Sequence, residues 1–130
     1  MAALTNPYAS YVNNKVNTCS KGQLLIMIFD SAIRNLKEAQ LHMKSKNFPL
    51  KGMAIDTAFK AVSELLLSLD FEVGGEIAKE LSSLYDYILY SSTQANIKID
   101  KEPLVGCLNV LNTLYDGWAS AIQTLKQQAK

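Results

Sequence analysis

Between residues 104 and 125 the apolar side chains fall at Leu104, Leu108, Leu111, Tyr115, Trp118, Ile122 and Leu125. The steps alternate four and three without a slip. An α-helix turns once every 3.6 residues, so this spacing lays all of them on one narrow stripe. A strand would scatter them over both of its faces. A stripe this long and narrow is the seam of a helical bundle, where each helix buries one edge against its neighbours. Asp100 is placed to cap this helix, and Pro103 falls in its first turn, where a missing amide hydrogen costs nothing.

Three more segments carry the same period. Ser20 and Gln23 form a capping box, with the stripe Leu25, Ile28, Phe29, Ala32, Ile33, Leu36, Ala39, Met43 behind them. "SKNFP" should end this helix, because Pro49 restricts Phe48 away from helical geometry. Pro49 suits the first turn of a second helix, with the stripe Ile55, Ala58, Phe59, Val62, Leu65, Leu66, Leu69. "DFEVGGE" reads as the next break, since Gly74 and Gly75 can take positive φ. A third stripe follows: Ile77, Leu81, Leu84, Ile88, then Ser91 or Ser92, then Ala95.

No alternating strand pattern, internal repeat, low-complexity tract or linker interrupts these segments. Four helices of about 20 to 27 residues with short connections predict an all-α fold, an antiparallel four-helix bundle in up-down order. The expected organisation is one domain over residues 1–130, with a leader at 1–19 and the bundle at 20–130. A chain of 130 residues can bury one sizeable core. The leader has a fainter helical spacing at Leu4, Tyr8, Tyr11 or Val12, and Lys15 or Val16. At about ten residues such a helix is not stable alone in water, so it is expected as a short N-terminal helical cap lying on the bundle.

Charge and cysteine usage narrow the function classes. Thirteen basic and twelve acidic residues give a net charge of +1, with no basic run, which argues against nucleic acid as a partner. Cys19 and Cys107 are too few for a disulfide scaffold and read as free thiols in a reducing compartment. No signal-peptide pattern opens the chain, and no apolar run approaches the ~18 to 20 residues of a membrane span. The expectation is a cytoplasmic protein without membrane insertion.

Catalytic motifs are missing from the sequence. His42 is the only histidine, so a Glu-x-x-His metal pair cannot form, and Cys19 and Cys107 lack a ligand partner pattern. There is no glycine-rich phosphate loop and no nucleophile elbow. The expectation is therefore no enzyme, no metal and no cofactor. One enzyme-like alternative is a phosphotransfer domain presenting His42 on a bundle. The run "LHMKSKN" has the lysines but no nearby glycine, and a solvated helix residue is the simpler reading.

What remains is apolar surface. The last helix carries a second line, Cys107, Val110, Leu114, Gly117, Ala121, and Gly106 and Gly117 imply close packing there. The first helix has Leu24 and Met27 outside its stripe, and the third has Tyr85, Tyr87 and Tyr90. These lines are either the wide interior of a bundle or a groove that accepts an amphipathic helix. A homodimer built on them is a further alternative.

The leader and the middle of the chain resemble a known family. "NPYASYVNNKVNT", Asn6 to Thr18, resembles an opening Asn-Pro-Tyr-x-x-Tyr followed by Val-x-Thr. "SKGQLLIMIFDSAI" resembles the helix after it, and "SLDFEVGGEIAKELSSLYDYI", Ser68 to Ile88, resembles a Leu-Asp…Gly-Gly-Glu-Ile-Ala…Leu-Tyr-Asp-Tyr stretch. "QANIKID", Gln94 to Asp100, and Trp118 complete the likeness, which is to the flagellin-specific export chaperones, FliS. "SKGQ" departs from the Ser-Pro pair often found there, and "LYSSTQAN" has serines where charged or bulkier residues are common. The resemblance implies a bundle that binds the disordered C-terminal region of flagellin in the cytosol, prevents premature polymerisation and aids export. It also implies delivery to the cytoplasmic part of the flagellar export gate. On this footing Tyr8, Tyr11 and Val16 are expected to gate a groove formed by Leu24, Met27, Ile28, Ala95, Asn96, Val110 and Leu114.

Overall fold

The computed structural model describes residues 17–129. Four helices account for nearly all of them: α1 Asn17–Lys44, α2 Phe48–Leu67, α3 Phe71–Lys98 and α4 Glu102–Ala129. Tyr8, Tyr11 and Val16 and the expected N-terminal cap lie outside the described residues, as do the side chains of Cys19 and Leu125. Each helix packs on its neighbours in the chain, and α4 closes the square against α1. Among the described residues no backbone contact crosses either diagonal. The diagonal is filled by side chains instead, as where the Phe29 ring of α1 meets Tyr85 of α3 with centroids 6.4 Å apart.

The interior follows the stripes. Phe29 and Leu36 of α1, Val62 and Leu65 of α2, Ile88 of α3, and Leu104 and Leu111 of α4 are 1% exposed or less. Each such burial contributes about 1.5–3 kcal/mol of transfer free energy. Small residues, Ser92 and Ala95, take the interior positions in the second half of α3. Ser92 returns its hydroxyl proton to the Leu89 carbonyl at 3.2 Å, so its burial strands no donor.

The helix boundaries depart from expectation in four places. α1 is already helical at Asn17, so Ser20 is an interior residue and its capping box with Gln23 is not used. Phe48 is not pushed out of the helical region by Pro49. It opens α2, while Asn47 caps the helix by accepting the Leu50 amide at 3.2 Å. The second break falls earlier than the glycine pair: Ser68 to Asp70 separate α2 from α3, and the Asp70 carboxylate accepts the Glu72 and Val73 amides. The glycines lie inside α3 and kink it. Gly75 has φ 51° and ψ −124°, a conformation closed to other residues, and a Cβ on Gly74 would come within 2.8 Å of that of Ala78.

The stripe of α3 is kept at Ile88, Ser91, Ser92 and Ala95, but near its start Ile77 is 67% exposed and Ala78 is buried, and Tyr85 is buried beside Leu84. Phe59 likewise emerges at the surface. On α4 the second apolar line is split. Cys107 is fully buried, with its sulfur 3.8 Å from the Ile88 carbonyl, whereas Gly117 faces open space and is not a packing contact. Gly106 does sit at a close approach, under the Tyr87 hydroxyl.

At the far end of α3 the chain takes a left-handed cap at Ile99, φ 51° and ψ 53°, with the Asp100 amide returning to the Ala95 carbonyl at 3.0 Å. Glycine or asparagine normally fills this position, and a β-branched residue there is strained. Ile99→Gly relieves about 1–2 kcal/mol of that strain against an entropic cost for glycine of about 0.5–1 kcal/mol and a loss of about 1 kcal/mol from the half of the side chain that is covered. The expected outcome is a thermal midpoint within ~3 °C of the parent by circular dichroism, where removing a large apolar side chain from an unstrained, half-covered position would lower it further.

Candidate functional site

Antiparallel order brings the start of α1, the end of α2, the start of α3 and the end of α4 to one end of the bundle. There the helices do not close over the core. Gly22 of α1 lets α4 approach closely: Ile122 packs so near it that a Cβ on Gly22 would lie 2.9 Å away. The kink at Gly75 sets the first turn of α3 apart from the rest of the helix. The result is an open cleft of about 630 Å³.

Its walls are apolar: Leu24, Leu25 and Ile28 from α1, Val73, Ile77 and Leu81 from α3, Trp118 and Ile122 from α4, with Leu69 from the α2–α3 connection. Lys21, Glu64 and Asp70 are its charged residues. Tyr85 also borders the cleft, and burial pushes its phenol up to about 12, with Trp118 beside it pulling slightly the other way. The phenol therefore stays neutral at any physiological pH.

A second, shallower recess of about 370 Å³ runs between α1 and α2, lined by Leu24, Met27, Ile28, Thr57, Ala61 and Glu64 among others. Leu24, Ile28 and Glu64 border both recesses, so the two form one continuous apolar path. Leu24 and Met27 are 57% and 66% exposed, and Val73 and Ile77 are more exposed still. Large apolar side chains left open together mark a binding surface rather than chance exposure.

The structure brings together only part of the set named from sequence. Leu24, Met27 and Ile28 lie on the path. Ala95 is 0% exposed in the core, because the small residues of α3 serve its interior face. Asn96 is at the other end of the bundle, where its carbonyl accepts the Lys51 ammonium at 3.1 Å, and α3 continues past it to Lys98. Val110 and Leu114 pack against the core from α4 and border neither recess. Gly22, Val73, Ile77, Trp118 and Ile122 were not singled out as site residues. A glycine early in a long helix and three exposed apolar residues around a Gly-Gly kink were the available signals.

His42 is partly shielded, its Nε2 3.7 Å from the Glu38 carboxylate on the same helix. Among the described residues no group of three or more His, Cys, Asp or Glu is arranged to hold a metal ion. No helix of the described part is long and apolar enough to cross a membrane.

The described residues thus form an antiparallel four-helix bundle with an apolar path open at one end. The model of the family described as flagellar protein FliS matches residues 4–125. The chain is 28% identical over 122 residues to the flagellar secretion chaperone FliS of Bacillus subtilis, covering 94% of this chain and 90% of the relative. It is 34% identical over 108 residues to FliS of Salmonella typhimurium, covering 82% and 80%. A crystal structure of a flagellar chaperone from bacteria superposes with a TM-score of 0.77 at 18% identity, over 92% of this chain and 98% of that one. The chain belongs to the FliS family and is a flagellar secretion chaperone.

Proposed function

We propose that this chaperone captures the C-terminal region of flagellin in the cytosol, keeps it from polymerising and presents it for export. The observation that carries this reading is the apolar path from the end cleft into the α1–α2 recess. A disordered tail would fold on docking there, laying the apolar face of a helix over Leu24, Met27, Ile28, Val73, Ile77 and Trp118. Coupled folding of this kind typically buries about 1,000–3,000 Å² and offsets several kcal/mol of ordering.

The leader is the second part of the proposal. The chain enters α1 at Asn17, about one turn ahead of the cleft-lining Lys21 and Gly22. Sixteen residues before that point can reach the whole cleft. Tyr8, Tyr11 and Val16 cover part of it in the free protein and are displaced by flagellin. The cytoplasmic part of the export gate is the partner proposed for the loaded complex.

Calorimetry with a synthetic flagellin C-terminal peptide tests the reading. The expected result is binding with a negative heat-capacity change, accompanied by a gain of peptide helicity. A chain lacking residues 1–16 should bind more tightly, by a factor set by how often the leader occupies the cleft. A well-folded protein that ignores the peptide at high micromolar concentration would remove flagellin as the guest. Equal affinity with and without the leader would remove the gate alone.

A further inference from the structure

We propose that the end of the bundle opposite the cleft is a second docking surface, fitted to an acidic amphipathic helix of a partner protein. The α1–α2 and α3–α4 connections meet at this end, and each presents apolar side chains to solvent. Phe48 is 42% exposed, Ile97 69% and Ile99 49%. Lys44, Lys46, Lys98 and Lys101 stand around them, exposed, and none makes an ion pair among the described residues. An apolar centre inside a charged rim is the usual anatomy of a specific protein interface.

Two further observations set this end apart. The described residues with positive φ that are not glycine, Lys46 and Ile99, are one in each connection. An isoleucine is held in the left-handed region, where glycine would be unstrained, and about half of its side chain is left in solvent. Strain of this kind points to a use for the side chain it displays. The surface is also held rigid. The Lys51 ammonium, buried beneath it, ties α2 to the Asn96 carbonyl of α3 at 3.1 Å and lies 5.6 Å from the centre of the Phe48 ring. A preorganised patch loses little freedom on binding.

Charge chooses the partner. At the cleft end Asp70, Glu72, Glu76 and Glu80 cluster at the start of α3, where Lys79 pairs with Glu76 at 3.5 Å, so the exposed lysine cluster belongs to the opposite end. The basic end attracts an acidic surface and orients its approach. Asp100 and Glu102 interrupt the ring of lysines. An anionic lipid surface would meet these two carboxylates with repulsion, whereas a protein can place its own charges around them. Because the surface lies at the other end from the cleft, it stays open when the cleft is filled.

The test uses the intact protein and a fluorescent acidic peptide with leucines at helical spacing, followed by anisotropy at low salt. The expected result is binding that weakens with salt. Affinity should fall about tenfold in Ile99→Gly, and as much in Lys98→Glu combined with Lys101→Glu. Ile99→Gly is expected to keep the parent's circular dichroism and a thermal midpoint within ~3 °C of it, so its loss of binding is not unfolding. Leu67→Glu, at an 85% exposed position near the cleft end that borders neither recess, should leave the peptide's affinity unchanged. No binding, or binding indifferent to both basic-end variants, overturns the proposal. Pelleting with phosphatidylglycerol vesicles that is lost in the same variants reassigns the surface to lipid. Salt-sensitive self-association in sedimentation, lost in the same variants, reassigns it to the acidic end of a second copy.

Discussion

Leu24→Glu combined with Ile77→Glu is expected to weaken binding of the flagellin tail by at least about a hundredfold, ~3 kcal/mol. Both side chains border the cleft, from α1 and from α3, and Leu24 also borders the α1–α2 recess. They are 57% and 67% exposed in the free protein, so a carboxylate at either position stays in water and the fold is little changed. Once a guest helix lies over them, each carboxylate is stripped of water, and Lys21 and Lys60 at the margins of the two recesses offset only part of that cost. Met53→Glu is the control. Met53 is 65% exposed and borders neither recess, so its variant should bind as the parent does. Calorimetry with the same tail peptide reads all three proteins, and circular dichroism confirms their folding. A double variant that keeps full affinity would place the guest elsewhere on the bundle.

The seam of α4 was legible in the sequence because nothing interrupts its period. Leu104, Leu108 and Leu111 are buried as the spacing demands. In α3 the stripe holds at Ile88, Ser91, Ser92 and Ala95, which are buried, and fails at its first member, where Ile77 is exposed and Ala78 beside it is buried. Both follow the kink at Gly75, so which of two adjacent apolar residues turns inward there depends on the helices packed against that turn and not on the period. Val73 and Ile77 line the cleft instead. Ala95 shows a different limit. Periodicity says that a small residue shares a face with Ile88, but whether that face meets the core or a guest depends on which helices lie opposite it. Leu24 and Met27 could be recognised because they are large, apolar and off the stripe. The start of α1 shows how a local signal yields to a longer one. Ser20 and Gln23 satisfy a capping rule, yet the chain is already helical at Asn17, so the cap has no free amides to serve.

The same core makes a prediction about alkaline pH. Burial pushes the Cys107 thiol up from 9.0 to about 11, with a backbone hydrogen bond offsetting part of the effect. Burial pushes the Tyr85 phenol up from 10.0 to about 12. In both, the neutral form is the one the folded protein holds, so the unfolded chain releases its proton first. The stability linked to Cys107 is complete below pH 9.0 and is lost as pH rises through about 11. That linked to Tyr85 is complete below pH 10.0 and is lost as pH rises through about 12. Each contributes about 2–3 kcal/mol, which together is a large fraction of the ~5–15 kcal/mol that holds a domain of this size. Urea midpoints should therefore be flat to pH 9 and fall steeply above it. Cys107→Ala leaves a small cavity and lowers the plateau, by about 1 kcal/mol. It also removes the thiol, so the fall should begin one pH unit later, near the 10.0 of the unfolded phenol. A variant whose midpoint drops in parallel with the parent across the whole range would show that the thiol is not the group being titrated. The fall would then belong to Tyr85, and the 0% exposure of Cys107 would count for packing and not for its proton.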